Sequence, residues 1–213
     1  VAALPGIQGV HCFEHHLPNV DELFHAGFRM AGLTHFFDNE AGGSAHGVHK
    51  GPLTDFGRAA VARMEALGMV IDLAHAAPRL IDDVLARATR PVVISHTGPK
   101  ALHDTPRTVS GEHIRGVAAT GGIIGVGFWK DVVGRPGIPA IVEGIAHIAE
   151  VAGVDHVALG SDYDGLIPAP CDISGLPRFT EALLGHGFPE DSVAKIMGGN
   201  VLRLLENTLP VKQ

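Results

Sequence analysis

Short apolar runs alternate along the chain with stretches whose hydrophobic positions recur at helical spacing. The runs are nearly continuous in apolar character, which is typical of buried parallel strands. We predict six strands, at residues 4–8, 30–35, 69–75, 91–96, 122–128 and 157–163. We predict helices at residues 20–26, 53–67, 78–88, 111–120, 140–152, 179–184 and 192–207. Such an alternation indicates an α/β fold, with a parallel sheet covered by helices.

Two arrangements of a parallel sheet fit this pattern, an open doubly wound sheet and a closed barrel. No G-x-G-x-x-G sequence opens a helix, so nothing supports the dinucleotide site of the doubly wound class. A complete (β/α)8 TIM barrel takes about 250 residues and eight strand–helix units. Six units in 213 residues therefore predict a single barrel domain over residues 1–213 that lacks two units.

Charge and composition exclude several classes of partner. The chain has 16 Lys and Arg against 23 Asp and Glu, so no basic face for nucleic acid or acidic membranes is expected. No apolar run approaches the roughly 18 residues that suggest a membrane span. The chain does not open on a signal-peptide pattern, and its two cysteines, Cys12 and Cys171, fit a reducing compartment. We therefore expect a cytoplasmic protein.

Polar side chains lie at the carboxyl ends of the predicted strands. His35, His75 and His96 end the second, third and fourth strands, Gln8 ends the first, and Asp162 lies at the end of the sixth. In a parallel barrel these ends open on one rim, which is where active sites lie. A single histidine there is more often only hydrogen-bonded, but imidazoles together with a carboxylate suit zinc or a similar divalent ion. The pattern therefore predicts a metal site.

Two further charged residues lie near these strand ends. Arg107 is in the loop after the fourth strand, where a cation could bind a substrate carboxylate or simply lie at the surface. Asp72 is three residues before His75, so strand alternation turns it to the opposite side of its strand. We therefore interpret Asp72 as an outer-face group or a supporting group and not as a metal ligand.

The runs GIQG, GLTH, IDLAH, VISH, TPRTV and SDYDG, in this order, resemble the membrane (renal) dipeptidase family of zinc metallopeptidases. The likeness extends over residues 7–205. That family is similar to the amidohydrolase-type (β/α)8 barrels, which are metal-dependent hydrolases, and it carries two zinc ions. The resemblance implies hydrolysis of the peptide bond of small dipeptides by a metal-activated water.

The resemblance also implies roles for individual residues. His75 and His96 match the two histidines that hold one zinc. His35 matches a histidine that binds substrate and stabilises the tetrahedral intermediate. Arg107 matches the residue that contacts the carboxylate of the dipeptide. Asp162 matches the aspartate that binds the substrate amine and transfers the proton.

The chain departs from the family pattern in two ways. Gln8 stands where the family has a glutamate that bridges both metals, and a neutral amide is a poor bridge between two dications. The His-x-Asp pair that holds the other zinc occurs nowhere in the chain, and the family's first two strand–helix units would precede Val1. We therefore expect one zinc or weak occupancy, with Gln8 as a weak ligand.

These departures leave two other functions open. One is a metal-poor, weakly active or inactive relative that acts as a binding protein, and the other is an amide or lactone metallohydrolase on the same scaffold. The presence of Arg107 and Asp162 favours the dipeptide reaction. The missing units would also leave residues 4–8 and 157–163 as sheet edges, which pair readily with other chains. We therefore expect a homodimer or dependence on an N-terminal segment.

Overall fold

A computed structural model describes residues 3–164 and 166–210 of the chain. The chain divides into two compact units. The first consists of Val1–Val93 with Leu205–Gln213, and the second of Ile94–Leu204. The single barrel domain over residues 1–213 stays a prediction.

The first unit is built on parallel strands whose carboxyl ends carry the candidate site residues. Its strands are β1 (Gly6–Gln8), β2 (Met30–Gly32), β3 (Val70–Asp72) and the first two residues of β4 (Val92–Pro99). The register pairs Gln8 with Gly32, Gly32 with Asp72 and Asp72 with Val93. The helices of this unit are α1 (Asn19–His25), α2 (Asp55–Leu67) and α3 (Pro78–Leu85), with a 3-10 turn at Val10–Phe13.

The second unit continues β4 and adds three more strands. These are β5 (Thr108–Val109), which pairs with β4, and the parallel pair β6 (Ile123–Gly127) and β7 (Val157–Gly160). The helices are α4 (Gly111–Ala119), α5 (Lys130–Val133), α6 (Ile138–Ala152), α7 (Pro177–His186), α8 (Glu190–Ala194) and α9 (Asn200–Thr208), whose last residues belong to the first unit. The parallel pairing and the alternation with helices confirm the predicted α/β class.

Helix α2 shows how the sequence sets the boundaries of these elements. The hydroxyl of Thr54 accepts the backbone N–H of Gly57 at 2.9 Å, which satisfies a donor that the first turn leaves open. Gly68 ends the helix in the left-handed region, with φ of 73°, where a glycine has no Cβ to strain. The face of the helix between these caps is buried at Gly57, Ala60, Val61 and Met64.

The long helix predicted at residues 192–207 is interrupted. A π-helical segment, Lys195–Gly199, separates α8 from α9, and Gly198 inside it has a non-helical backbone with φ of 159°. Immediately after it, the buried amide of Asn200 donates to the carbonyls of Val154 and Val157 at 2.7 and 2.8 Å. The irregular turn therefore precedes a side chain that satisfies two backbone acceptors. Hydrophobic periodicity does not reveal such an interruption.

Two short elements were also absent from the predicted pattern. Strand β5 has two residues and α5 has four, which are too few to produce a recognisable period.

The strands β2 and β3 end before His35 and His75, so both histidines lie in the segments that follow and not within the strands. None of the helices within residues 3–164 and 166–210 combines the length and the apolar character that crossing a bilayer requires.

Candidate active site

His75 occupies a strained turn at the end of β3 in the first unit. Its φ is 64°, a value that residues with a Cβ rarely adopt, and its side chain is buried. The carboxylate of Asp72 accepts the N–H of Ala74 at 3.0 Å, and the N–H of Ala76 donates to Leu73 at 3.1 Å. Asp72 therefore supports the turn, in agreement with its interpretation as a supporting group. Backbone strain at a buried polar residue is typical of functional sites.

A glycine-rich loop, residues 38–52, holds the His75 turn from the other side. The N–H of Ala45 donates to the His75 carbonyl at 2.7 Å, and the N–H of Ala77 donates to the Gly43 carbonyl at 2.9 Å. The same loop also reaches His35, because the hydroxyl of Ser44 donates to the His35 carbonyl. One loop therefore fixes the backbones of both histidines.

The carboxylate of Asp38 organises this loop. It accepts the N–H of Ser44 at 2.8 Å through Oδ1 and the N–H of His49 at 2.7 Å through Oδ2. Burial opposes the charge of this carboxylate, but backbone hydrogen bonds from His49, Ser44, Lys50 and Val48 outweigh it and hold the pKa of Asp38 below its usual value. Sequence reasoning missed Asp38. The only signal for it was an aspartate placed directly before a run rich in glycine.

The structure brings His35 and His75 together. Their ring centroids are 4.6 Å apart, with the rings nearly perpendicular at 79°. Phe36 packs against both, at 4.2 Å from His35 and 5.5 Å from His75. The ring of His46, a residue of the glycine-rich loop, lies 6.1 Å from that of His75. Gln8 ends β1 as predicted, level with Gly32 of the neighbouring strand.

The second unit holds the other three predicted residues, with Arg107 and Asp162 beside His96. The buried His96 imidazole has its Nδ1 2.7 Å from the hydroxyl of Ser95, and its Nε2 is 4.0 Å from Oδ2 of Asp162. Arg107 donates from Nη2 to the His96 carbonyl at 3.4 Å. A carboxylate and a guanidinium therefore both lie against one histidine. Asp162 has φ of 56°, a second strained backbone at a candidate site residue.

Trp129, which follows β6, completes the surroundings of His96. Its ring is 6.0 Å from the His96 ring, and the guanidinium of Arg107 lies over it at 5.8 Å. A cation over an indole face is attracted by the ring electrons, so Trp129 helps to orient Arg107. Sequence reasoning missed this residue, although it is the only tryptophan of the chain.

The donor chemistry of the chain limits how it could hold a metal. His75 and His96 are both buried, and imidazole is a good zinc ligand. Gln8 offers only a neutral amide oxygen. Within the described part of the chain, no group of three or more His, Cys, Asp or Glu side chains is arranged to hold a metal ion. The two imidazoles are the donors in this set that suit zinc.

Comparison with known sequences identifies relatives along the whole chain. The family model of membrane dipeptidase, peptidase family M19, matches residues 1–213. An uncharacterized dipeptidase of Schizosaccharomyces pombe is 32% identical over 219 residues, which cover 98% of this chain and 53% of the relative. A dipeptidase of Aspergillus terreus is 30% identical, covering 97% of this chain and 57% of the relative. The chain thus spans about half the length of the curated relatives it matches.

Solved structures show the same likeness. An amidohydrolase from Pseudomonas aeruginosa has a TM-score of 0.87 at 26% identity, covering 95% of this chain and 71% of that one. A metallopeptidase from Rhodobacter sphaeroides, liganded with a phosphinate mimic of the dipeptide L-Ala-D-Ala, has a TM-score of 0.88 at 26% identity, covering 96% and 63%. The predicted fold type, a (β/α) barrel of the metal-dependent hydrolase kind present in part, is confirmed. The chain belongs to the membrane dipeptidase family, peptidase family M19.

Proposed function

We propose that this protein is a zinc-dependent dipeptidase that hydrolyses the peptide bond of small dipeptides. The observation that carries the proposal is the pair of opposite charges beside His96, with Asp162 at 4.0 Å from its ring and Arg107 bonded to its carbonyl. A free dipeptide is a zwitterion with an ammonium at one end and a carboxylate at the other. Arg107 would bind the carboxylate through paired N–H donors, and Asp162 would bind the ammonium.

The metal would be held by imidazole nitrogens of His75 and His96, with Gln8 contributing at most a neutral oxygen. Both histidines are buried, and their assignment as a pair rests on the family resemblance. When bound, zinc acidifies a water molecule and polarises the carbonyl of the peptide bond.

The remaining residues would orient the reactants and move the proton. The contact of Ser95 with Nδ1 of His96 would fix the orientation of that ring and direct Nε2 toward the site. The carboxylate of Asp162 would take a proton from the attacking water and transfer it to the leaving amine. The imidazole of His35 would stabilise the negative charge that develops on the carbonyl oxygen.

A second candidate function is a metal-poor relative that binds small zwitterions without cleaving them. Gln8 in place of a carboxylate favours it. An amide or lactone hydrolase on the same scaffold is favoured less, because neither substrate needs both Arg107 and Asp162. The dipeptidase and the metal-poor binding protein would bind the same zwitterionic ligand, and only the dipeptidase would cleave it. One set of variants therefore tests both functions.

The test compares L-Ala-L-Ala with its C-terminal amide as substrates of the zinc-supplemented protein. Arg107→Ala should raise KM for the free dipeptide about tenfold or more and abolish its advantage over the amide. Asp162→Asn should lower kcat by about a hundredfold, since proton transfer of this kind contributes on that order. Arg135→Ala is the matched control, because Arg135 pairs with Glu143 on the exposed surface of the same unit.

Binding can be followed separately from turnover through Trp129, the only tryptophan of the chain. Because Arg107 lies over its ring, we expect a dipeptide to change the tryptophan fluorescence. A fluorescence change that saturates without hydrolysis would favour the binding protein. Equal hydrolysis of the free dipeptide and the amide would contradict the proposed role of Arg107.

A further inference from the structure

A cavity of about 310 Å³ lies in the first unit beside His35. This volume is at the lower end of the range for small-molecule sites, about 300–1,000 Å³. The cavity is lined by His11, His35, Phe36, Phe37, Asp38 and Asn39. Nothing in the proposed reaction so far uses the space between these residues.

Two adjacent phenylalanines form the apolar wall of the cavity. Phe37 is 80% exposed and Phe36 is 42% exposed, which is unusual for rings that folding normally buries. Phe36 is held in place, with its ring 4.2 Å from that of His35 and 5.4 Å from that of His46. The Phe36 ring of this wall is therefore fixed by its neighbours, whereas the Phe37 ring faces solvent. An apolar group that covers Phe37 would remove ring surface from water.

Two polar residues of the lining, Asp38 and Asn39, already have backbone partners. Asp38 accepts N–H groups of its own loop at 2.7 and 2.8 Å. The amide nitrogen of Asn39 donates to the Leu33 carbonyl at 2.8 Å, and its oxygen accepts the N–H of Ala41 at 2.9 Å. These bonds direct the polar atoms into the loop. The surface offered to a ligand is therefore mainly that of the rings.

We propose that this cavity receives the side chain of one residue of the dipeptide, and that it selects an aromatic or branched aliphatic side chain. The inference rests on the proposed function, in which His35 contacts the scissile carbonyl. A side chain that branches from the substrate next to that carbonyl would enter the cavity between Phe36 and Phe37. Aromatic rings pack well against such walls in tilted or offset geometries.

The test measures kcat/KM for Ala-Ala, Ala-Phe and Phe-Ala with the zinc-supplemented full chain. One of the two phenylalanine dipeptides should exceed Ala-Ala about tenfold, since apolar pockets discriminate to this extent. Phe37→Ala should lower kcat/KM for that dipeptide about tenfold more than for Ala-Ala. Phe37→Leu keeps an apolar wall and should lose less. Leu202→Ala is the matched control, because Leu202 is 62% exposed on α9 and should leave the preference unchanged.

The outcomes separate this inference from the proposed function. Wild-type protein that cleaves all three dipeptides equally, or a folded Phe37→Ala variant that keeps the preference, would overturn the cavity assignment and leave the dipeptidase intact. If no dipeptide is cleaved, the proposed function fails, and calorimetric titration with Ala-Phe and Phe-Ala decides the cavity. Binding of either dipeptide that Phe37→Ala weakens about tenfold would support the cavity assignment. No binding, or binding that Phe37→Ala leaves unchanged, would overturn it.

Discussion

Replacing Asp38 by alanine should destabilise the loop that holds His35 and His75. The change removes at least two hydrogen bonds from a charged acceptor, those to the N–H groups of Ser44 and His49. Such bonds contribute about 1.5–3 kcal/mol each, and the partial exposure of Asp38 favours the lower figure. We therefore expect the free energy of unfolding to fall by about 3 kcal/mol.

The assay is urea unfolding followed by circular dichroism, compared with the control Asp55→Ala. The side chain of Asp55 is 99% exposed and forms only an exposed ion pair with Arg58, so that variant should change the free energy of unfolding by less than about 1 kcal/mol. Hydrogen exchange adds a local measurement, because the amides of Ser44 and His49 should exchange about a hundredfold faster in Asp38→Ala. A loss of under 0.5 kcal/mol together with unchanged exchange would refute the role given to Asp38.

The pH dependence of this effect has a definite sign. Hydrogen bonds to the charged form lower the pKa of Asp38 from its ordinary value of 3.8. The stabilisation is therefore fully present above about pH 4 and is lost as the pH falls through the lower value of the folded protein. The difference between wild type and Asp38→Ala should stay constant from neutrality to about pH 4 and shrink below it. A difference that shrinks already near pH 6 would contradict this cause.

Three further predictions concern other parts of the chain. Gly125→Ala should lower the free energy of unfolding, measured by thermal unfolding, by about 3 kcal/mol, because the added Cβ would lie 2.0 Å from the Ser95 carbonyl oxygen. A loss of less than about 1 kcal/mol would show that the strands can separate there. Burial and the neighbouring Cys171 raise the pKa of Tyr163, the only tyrosine of the chain, to about 12. The phenol absorbance should therefore titrate near pH 12, and a titration midpoint near pH 10 would contradict this cause. Gln8→Glu should raise the zinc content of the purified protein by restoring a charged ligand; an unchanged content would count against the metal role of Gln8.

The sequence revealed the order of the elements because the continuous apolar runs of its strands differ clearly from the helical spacing of its amphipathic segments. Continuous apolar runs such as residues 122–128 and the amphipathic pattern of residues 53–67 each permit one reading, and β6 and α2 lie there. The short elements β5 and α5 were missed because two and four residues do not complete a period. The break before α9 depends on backbone freedom at Gly198, which the hydrophobic pattern does not record.

The sequence identified candidate site residues where an ionisable side chain follows a predicted strand. His35, His75 and His96 each follow an apolar run. The structure places His35 and His75 just beyond β2 and β3, and His96 inside β4, which extends to Pro99. Asp38 and Trp129 were missed because their importance comes from backbone and ring contacts made across the fold. The positive φ of His75 was also hidden, since it arises from the hydrogen bonds of the turn and the glycine-rich loop.

The most direct test of the proposed dipeptidase is hydrolysis of Ala-Ala by the purified protein before and after metal removal. The account predicts cleavage of the free dipeptide that is lost after chelation and restored by zinc. It also predicts that blocking either the amine or the carboxylate of the substrate lowers kcat/KM about tenfold or more, because Asp162 and Arg107 each lose a charged partner. Absence of cleavage with zinc present, or equal cleavage of free and doubly blocked Ala-Ala, would contradict it.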